Sequence, residues 1–409
     1  MKQELILLRI TGEDRPGLTA AFMEIMAKYE VDIIDIGQAD IHSTLSLGIL
    51  IRTTEADSGH VMKEVLFKAS HLGVHVSFLP IANDEYDDWV AAQGKNRYIL
   101  TVMAPHLTAK QMAAVSRLVS DEGLNIDSIR RLTGRPKRVE CADRVRSCVE
   151  FSLRGTPKSR EQFQAHILNL SSEMEMDCSL QQDNMYRRMR RLICFDMDST
   201  LIQAECIDEL AEEAGVGEEV RAITESAMRG EMDFKESFTR RVALLKGLDA
   251  QVMQRIAERL PYTDGVERLM YVLKRYGYKI AILSGGFTFF GEFIAKKFGI
   301  DYVYANDLEV DDEGKLTGRF VGDIVDGQRK AALLKLIAKV EKVDLAQTIA
   351  VGDGANDLPM LSTAGLGIAF HAKPRVVENA KQSISTMGLD GVLYFLGFKD
   401  SYLDEKGQS

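Results

Sequence analysis

The first half of the chain carries one pattern twice, and a repeat of that kind constrains the fold strongly, because whatever one copy forms the other must form as well. Residues 5–10 and 98–103 read as strands, each followed by a matching loop, Pro16-Gly17-Leu18-Thr19-Ala20 in the first copy and Pro105-His106-Leu107-Thr108-Ala109 in the second. Each loop opens a helix, about residues 19–29 and 108–122. The helices lead into residues 31–36 and 124–129, which alternate apolar and polar as half-buried strands do. Residues 45–51 and 148–153 suit a further strand, helices follow near 59–72 and 159–172, and strands at 74–79 and 177–180 close the units. The order is βαββαβ, twice.

Between the copies, Asn83-Asp84-Glu85-Tyr86-Asp87-Asp88-Trp89 is acidic and turn-prone, so residues 83–96 read as a linker separating a first domain, 1–82, from a second, 97–182. After residue 187 the pattern changes. Short apolar strands alternate with helical segments, the signature of a doubly wound parallel sheet covered by helices on both faces. Residues 191–195, 279–283 and 348–351 each run straight into a polar loop, and ligands of open α/β sheets sit at such carboxyl ends. This region is expected to span 187–400, and a helical insertion at about 205–260 is too long for a connection and suits a lid.

The first of these loops, Asp196-Met197-Asp198-Ser199-Thr200, places two carboxylates on one turn after a buried strand. A phosphoryl group needs an oxygen nucleophile in line and a cation to offset the repulsion between negative charges. The last loop, Gly352-Asp353-Gly354-Ala355-Asn356-Asp357, supplies more carboxylates at the same sheet edge, and Asp196 with Asp353 suffices for Mg²⁺, which takes one or two carboxylates besides water and phosphate. The Gly352-x-Gly354 spacing does not make a dinucleotide fingerprint, because Asp357 stands where the third glycine belongs. Ser284-Gly285-Gly286 offers a hydroxyl and backbone N–H groups to phosphoryl oxygens, and Lys330 is the candidate cation.

These four elements in this order resemble the haloacid dehalogenase superfamily, over residues 190–397. The resemblance rests on Asp196-Met197-Asp198-Ser199-Thr200-Leu201, Leu283-Ser284-Gly285-Gly286-Phe287, Lys330 and Val351-Gly352-Asp353-Gly354-Ala355-Asn356-Asp357. It implies that Asp196 is the nucleophile and Asp198 the general acid and base. It implies magnesium held by Asp196, Asp353 and the Asp198 carbonyl, with Asp357 supporting the metal site. Ser284, Gly285, Lys330 and Asn356 would meet the substrate. Within the insertion, Glu205-Cys206-Ile207-Asp208 and Arg241-Val242-Ala243-Leu244-Leu245 resemble substrate-binding positions of superfamily members that act on phosphoserine, with Met228 and Phe234 as an apolar wall. Hydrolysis of O-phospho-L-serine, the last step of serine biosynthesis, is the expected activity. Another small phosphorylated metabolite as substrate, or a catalytically silent amino-acid sensor, are the alternatives.

The repeated units resemble ACT domains, α+β ferredoxin-like modules that commonly bind amino acids between copies, so a homodimer and an amino-acid effector are expected. Asp14, Gly17 and Leu18 are the candidate effector contacts. His106 stands where Gly17 does, which argues against an equivalent second site, and a pair of spacers that only dimerise is the other reading. His71 and His75 are four apart, but Gly73 between them breaks the helix a metal pair would need.

A net charge of -10 speaks against nucleic acid as partner. The run Arg187, Arg188, Arg190, Arg191 is read as a solvated segment. Five cysteines without a C-x-x-C pair suit a reducing, cytoplasmic setting, and no apolar stretch is long enough to act as a signal peptide or cross a bilayer.

Overall fold

The computed structural model describes residues 2–93, 96–135, 146–229 and 231–403. Two compact units, 1–95 and 96–409, are considered separately.

In the first unit, strands β1 (Gln3–Glu13), β2 (Val31–Ile41), β3 (Thr44–Thr54) and β4 (His75–Ile81) form an antiparallel sheet in the order β2-β3-β1-β4. Alternation in β1 points Ile6, Leu8 and Ile10 to one face, where Leu45, Leu47 and Ile49 of β3 join them. Helices Leu18–Met26 and Glu55–Leu72 cover that face through Phe22, Val61 and Val65. Each such burial contributes about 1.5–3 kcal/mol before entropy is counted. The second helix begins at Thr54, whose side chain accepts the Asp57 N–H, and ends at Gly73 in the left-handed region at φ 68°. His71 therefore closes a helix while His75 opens β4, so the two do not share a helical face.

The segment read as a linker contains a helix, Asn83–Gln93. Its acids are placed where a helix favours them: Asp84 and Glu85 lie in the first turn, against the positive end of the helix dipole, and Tyr86 and Trp89 meet across one turn with ring centroids 5.8 Å apart.

The second unit opens with the other copy, β5 (Arg97–Ala104), β6 (Asn125–Arg131), β7 (Ser147–Arg154) and β8 (Asp177–Gln182), in the matching order β6-β7-β5-β8. Helices Ala109–Asp121, with a capping box between Thr108 and Gln111, and Arg160–Glu173 cover one face. The other face is covered too. Met103 and Cys148 join a core with Val392, Leu393 and Phe395 of the C-terminal half, and Gln382 brackets Leu180 by accepting its N–H at 3.1 Å and donating to its carbonyl at 2.9 Å.

That half is built on a seven-stranded sheet, β12-β11-β10-β9-β13-β14-β15. Its strands are β9 (Leu192–Phe195), β10 (Lys279–Phe287), β11 (Tyr302–Val310), β12 (Leu316–Val321), β13 (Thr348–Gly352), β14 (Leu366–Phe370) and β15 (Gln382–Ile384). All pairs are parallel except the β11–β12 hairpin at one edge. Ile193 and Phe195 face helices Val266–Arg275 and Thr288–Phe298, whereas Leu192 and Cys194 face Gly327–Val340 and Leu358–Thr363. From central β9 the chain winds out through β10 to one side and then through β13 to the other, so the loops after these three strands meet at a topological switch point. Among the described residues five helices lie between β9 and β10 in sequence: Cys206–Ala214, Gly217–Met228, Phe234–Leu244 and Gln251–Arg259, which make up the insertion, and then Val266–Arg275. No helix among the described residues is long and apolar enough to cross a membrane.

Candidate active site

A cavity of about 720 Å³ lies where the three loops meet. Of the residues expected to act together, Asp196, Asp198, Glu205, Phe234, Arg241, Ser284, Gly285, Asp353 and Asn356 line it. Lys330 and Asp357 sit beneath its floor, fully buried. Of Met228 only the backbone is described; the side chain assigned to the apolar wall lies outside the described residues.

Asp196 ends the β9 register, its N–H bonded to the Val351 carbonyl, and its Oδ1 accepts the Met197 N–H at 2.7 Å. Its Oδ2 lies 2.8 Å from Lys330 Nζ, which is also 2.7 Å from Asp357 Oδ1. Lys330 is brought there by helix Gly327–Val340, which starts at Asp326 accepting the Arg329 N–H. Burial works against its charge, yet Asp196 and Asp357 hold the ammonium pKa above its ordinary value.

Carboxylate oxygens of Asp196, Asp353 and Asp357 fall within 4.8 Å of one another. Burial, with the charges of Asp196 and Asp357, pushes Asp353 up to about 7; burial and Asp196 push Asp357 to about 7, against the pull of Lys330. One lysine does not offset this much negative charge, and hard oxygen donors at this spacing fit a magnesium ion. The Asp198 carboxylate stands apart from that trio. Its Oδ1 accepts the Cys206 N–H at 3.1 Å, and burial, then the Glu205 charge, raises its pKa to about 8.

Several supporting residues carry no role in the sequence reading. Thr200 Oγ1 donates to Asp353 Oδ1 at 2.9 Å, and Ser199, at φ 55°, donates to Glu205 Oε1 at 2.7 Å. Asn306 on β11 donates to the carbonyls of Gly285 and Gly286 at 2.9 and 3.1 Å, holding the turn that follows Leu283. Both hydroxyls belong to the Asp196 loop and invite suspicion there; Asn306 sits in an ordinary-looking strand with no local signal. The Gly286 N–H donates to Ser284 Oγ at 3.0 Å, and a Cβ on Gly286 would collide with Asp198 Oδ2.

Toward the lid, Glu205 immediately precedes helix Cys206–Ala214, and Arg241 occupies the last turn of Phe234–Leu244. Arg241 bonds only weakly, to the Ser237 carbonyl at 3.4 Å and Thr224 Oγ1 at 3.5 Å, and forms no ion pair among the described residues. Burial lowers its pKa, while Asp208 and Glu205 oppose that. Phe234 stacks on Phe238, which packs against Phe287 and Phe320.

In the first unit, Gly17 adopts φ 91° at the start of helix Leu18–Met26, and the Asp14 N–H bonds to the Ser43 carbonyl. Asp14 and Gly17 are exposed, whereas the Leu18 side chain is buried in the core, leaving only its backbone near that surface.

Comparison with known proteins matches a haloacid dehalogenase-like hydrolase family over residues 193–362 and an ACT domain over 4–79. The phosphoserine phosphatase of Streptomyces coelicolor is 38% identical over 393 residues, 96% of this chain and 92% of that protein. Phosphoserine phosphatase SerB2 of Mycobacterium tuberculosis is likewise 38% identical, over 96% of this chain and 93% of its own. Among solved structures, a probable phosphoserine phosphatase from Vibrio cholerae aligns with a TM-score of 0.58 at 36% identity, covering 73% of this chain and 86% of that one.

Proposed function

Since the chain belongs to the phosphoserine phosphatase family, we propose that it hydrolyses O-phospho-L-serine to serine and phosphate in a magnesium-dependent reaction through a phosphorylated Asp196. The observation that carries the reading is the pair of contrasting carboxylates. Asp196 is held against the Lys330 ammonium, while Asp198, two residues on, is pushed up to about 8 and carries a proton at neutral pH.

In this mechanism an Asp196 carboxylate oxygen attacks phosphorus as the bond from phosphorus to the serine oxygen breaks. The Asp198 proton passes to that departing oxygen. Water then attacks the phosphorus of the aspartyl phosphate, gives its proton to Asp198, and phosphate leaves with Asp196 restored. Ser284 and the N–H groups of its turn bind phosphoryl oxygens, and Lys330 offsets charge on the nucleophile side. Magnesium, held by Asp196, Asp353 and the Asp198 carbonyl with Asp357 in support, would supply positive charge against the phosphoryl oxygens.

Glu205 and Arg241 line the same cavity and suit the ammonium and carboxylate of the substrate. An arginine without an acidic partner is well matched to a carboxylate through two parallel hydrogen bonds. The ACT-like units support amino-acid regulation, with Asp14, Gly17 and the Leu18 backbone as the effector contacts. Exposed Ile33 and Ile36 on edge strand β2 support a homodimer.

Phosphate release is measured with phosphoserine, phosphothreonine and sugar phosphates, with and without magnesium. Phosphoserine should be turned over with the highest kcat/KM and only with the metal; equal turnover of sugar phosphates overturns the substrate. Asp196→Asn should release no phosphate and form no phosphoenzyme.

A further inference from the structure

The arginine-rich run ahead of β9 is not solvated throughout, as its charge suggested. Arg188 is 73% exposed at its side chain, but Arg187 and Arg190 are only 6% and 5% exposed. Arg187 is paired with Glu150. Arg190 has only neutral partners, donating to Gln181 Oε1 at 2.8 Å and to the Ala346 carbonyl at 3.4 Å, and no carboxylate forms an ion pair with it among the described residues. The Nε of each arginine is buried without a hydrogen-bond partner. Burial, with Arg187 adding to it and Tyr278 opposing, pulls the Arg190 pKa down to about 10. A buried guanidinium without counter-charge is costly, and such a group usually answers to a charge supplied from elsewhere.

Both arginines line a cavity of about 490 Å³ between the second ACT-like sheet and the catalytic sheet, at the amino ends of β9, β13 and β14, whereas the active-site loops follow β9 and β13 at their carboxyl ends. Arg160 and Lys381 stand on its wall, and among the described residues Glu161 is the one carboxylate lining it. With Arg187 neutralised by Glu150, two positive charges stay uncompensated. A phosphate group near neutral pH carries about that charge with the opposite sign and offers several acceptor oxygens, whereas a single carboxylate supplies half of it. The volume exceeds one phosphate and accommodates a small ester.

We propose that this cavity is a second anion site, binding a phosphate group, free or as a small phosphate monoester, against Arg190 with help from Arg160 and Lys381. The site bridges Gln181 of β8 and Gln382 of β15, so its occupant ties the ACT-like domain to the catalytic sheet. The proposal is independent of the substrate assignment.

Calorimetric titration of inorganic phosphate into the full chain with magnesium should give two equivalents, one at the active site and one here. Arg190→Gln should lose one equivalent while inhibition of turnover by phosphate is unchanged. The double variant Arg160→Gln, Lys381→Gln alters exposed side chains only and carries the test if Arg190→Gln fails to fold; the Kd of the second equivalent should rise about 10-fold or more. A single equivalent in the wild-type chain, or two unchanged equivalents in the double variant, overturns the site. Repeating the titration with propylphosphonate distinguishes the source: an Arg190-dependent second equivalent for it assigns a phosphate monoester, and its absence beside one for inorganic phosphate assigns free phosphate.

Discussion

Thr200 Oγ1 and Asp353 Oδ1, 153 residues apart in sequence, are joined by a 2.9 Å hydrogen bond that ties the loop after β9 to the loop after β13. The bond favours the ionised form of Asp353, against burial and the charges of Asp196 and Asp357. Thr200→Val keeps the shape and removes the donor, so Asp353 should hold its proton more tightly and lose its fixed orientation. Loss of such a partner behind a metal ligand typically weakens metal binding about 10- to 100-fold. A magnesium activation curve should shift by that amount with a smaller change in kcat at saturation, and Thr200→Ser should stay near wild type.

Much of this site is legible in the sequence because each strand that feeds it is short, apolar and followed at once by residues with little reason to be there but chemistry. Leu192 to Phe195, buried throughout, then Asp196 and Asp198, is such a case. Asn306 was not legible: it acts through two backbone carbonyls across a β-pair, and nothing in Tyr302–Val310 marks one polar residue as a brace. The docking of the second ACT-like sheet left a fainter trace. β1 alternates, with exposed Arg9 and Thr11 among its buried residues, whereas β5 is buried at every position from Tyr98 to Ala104, because its second face also meets a core. The helix Asn83–Gln93 is hard to read from sequence because acids that favour turns also favour a helix start.

The pH profile should be bell-shaped with limbs that respond differently to metal. Asp198, raised to about 8 by burial and then Glu205, is protonated below that value, so donation to the leaving oxygen is present at neutral pH and lost as pH rises through it. Asp353 and Asp357, raised to about 7, must lose protons to hold the cation, so activity falls as pH drops below that range. Raising magnesium should move the acid limb downward and leave the alkaline limb where it is. With p-nitrophenyl phosphate, whose leaving group needs no proton, the burst of p-nitrophenol release should lose its alkaline limb, and Asp198→Asn should slow that burst far less than the roughly 10²- to 10⁴-fold expected for phosphoserine, while hydrolysis of the phosphoenzyme stays slow for both substrates.

Adjacent glycines after Ser284 should respond unequally to alanine. At Gly286 the added Cβ meets the Asp198 carboxylate and lies 2.8 Å from Met197 Cε, so the acid must be displaced. At Gly285 it meets Phe234 Cζ at 3.0 Å, the far end of a half-buried side chain rather than the acid. Gly286→Ala is expected to lower kcat about 100-fold or more, in keeping with loss of acid catalysis. Gly285→Ala should mainly raise KM. Steady-state kinetics separates the two, and thermal denaturation should show a cost of about 1–3 kcal/mol for Gly286→Ala if the strain stays local.

Arg241 gives the sharpest test of substrate choice, since it reaches the cavity half-buried and makes only long hydrogen bonds to Ser237 and Thr224. A charge-assisted bond to a substrate carboxylate contributes about 1.5–3 kcal/mol, and removing it costs about 10- to 100-fold in kcat/KM. Arg241→Ala should therefore raise KM for phosphoserine by that factor and hardly alter turnover of phosphoethanolamine, which has the amine and phosphate but no carboxylate. Arg241→Lys keeps the charge without the planar fork and should recover only part of the loss. Glu205→Gln should show the complementary pattern, harming both amine-bearing substrates and sparing phosphoglycolate, which has the carboxylate alone. If Arg241→Ala lowers kcat/KM equally for phosphoserine and phosphoethanolamine, the residue shapes the lid and another group recognises the carboxylate.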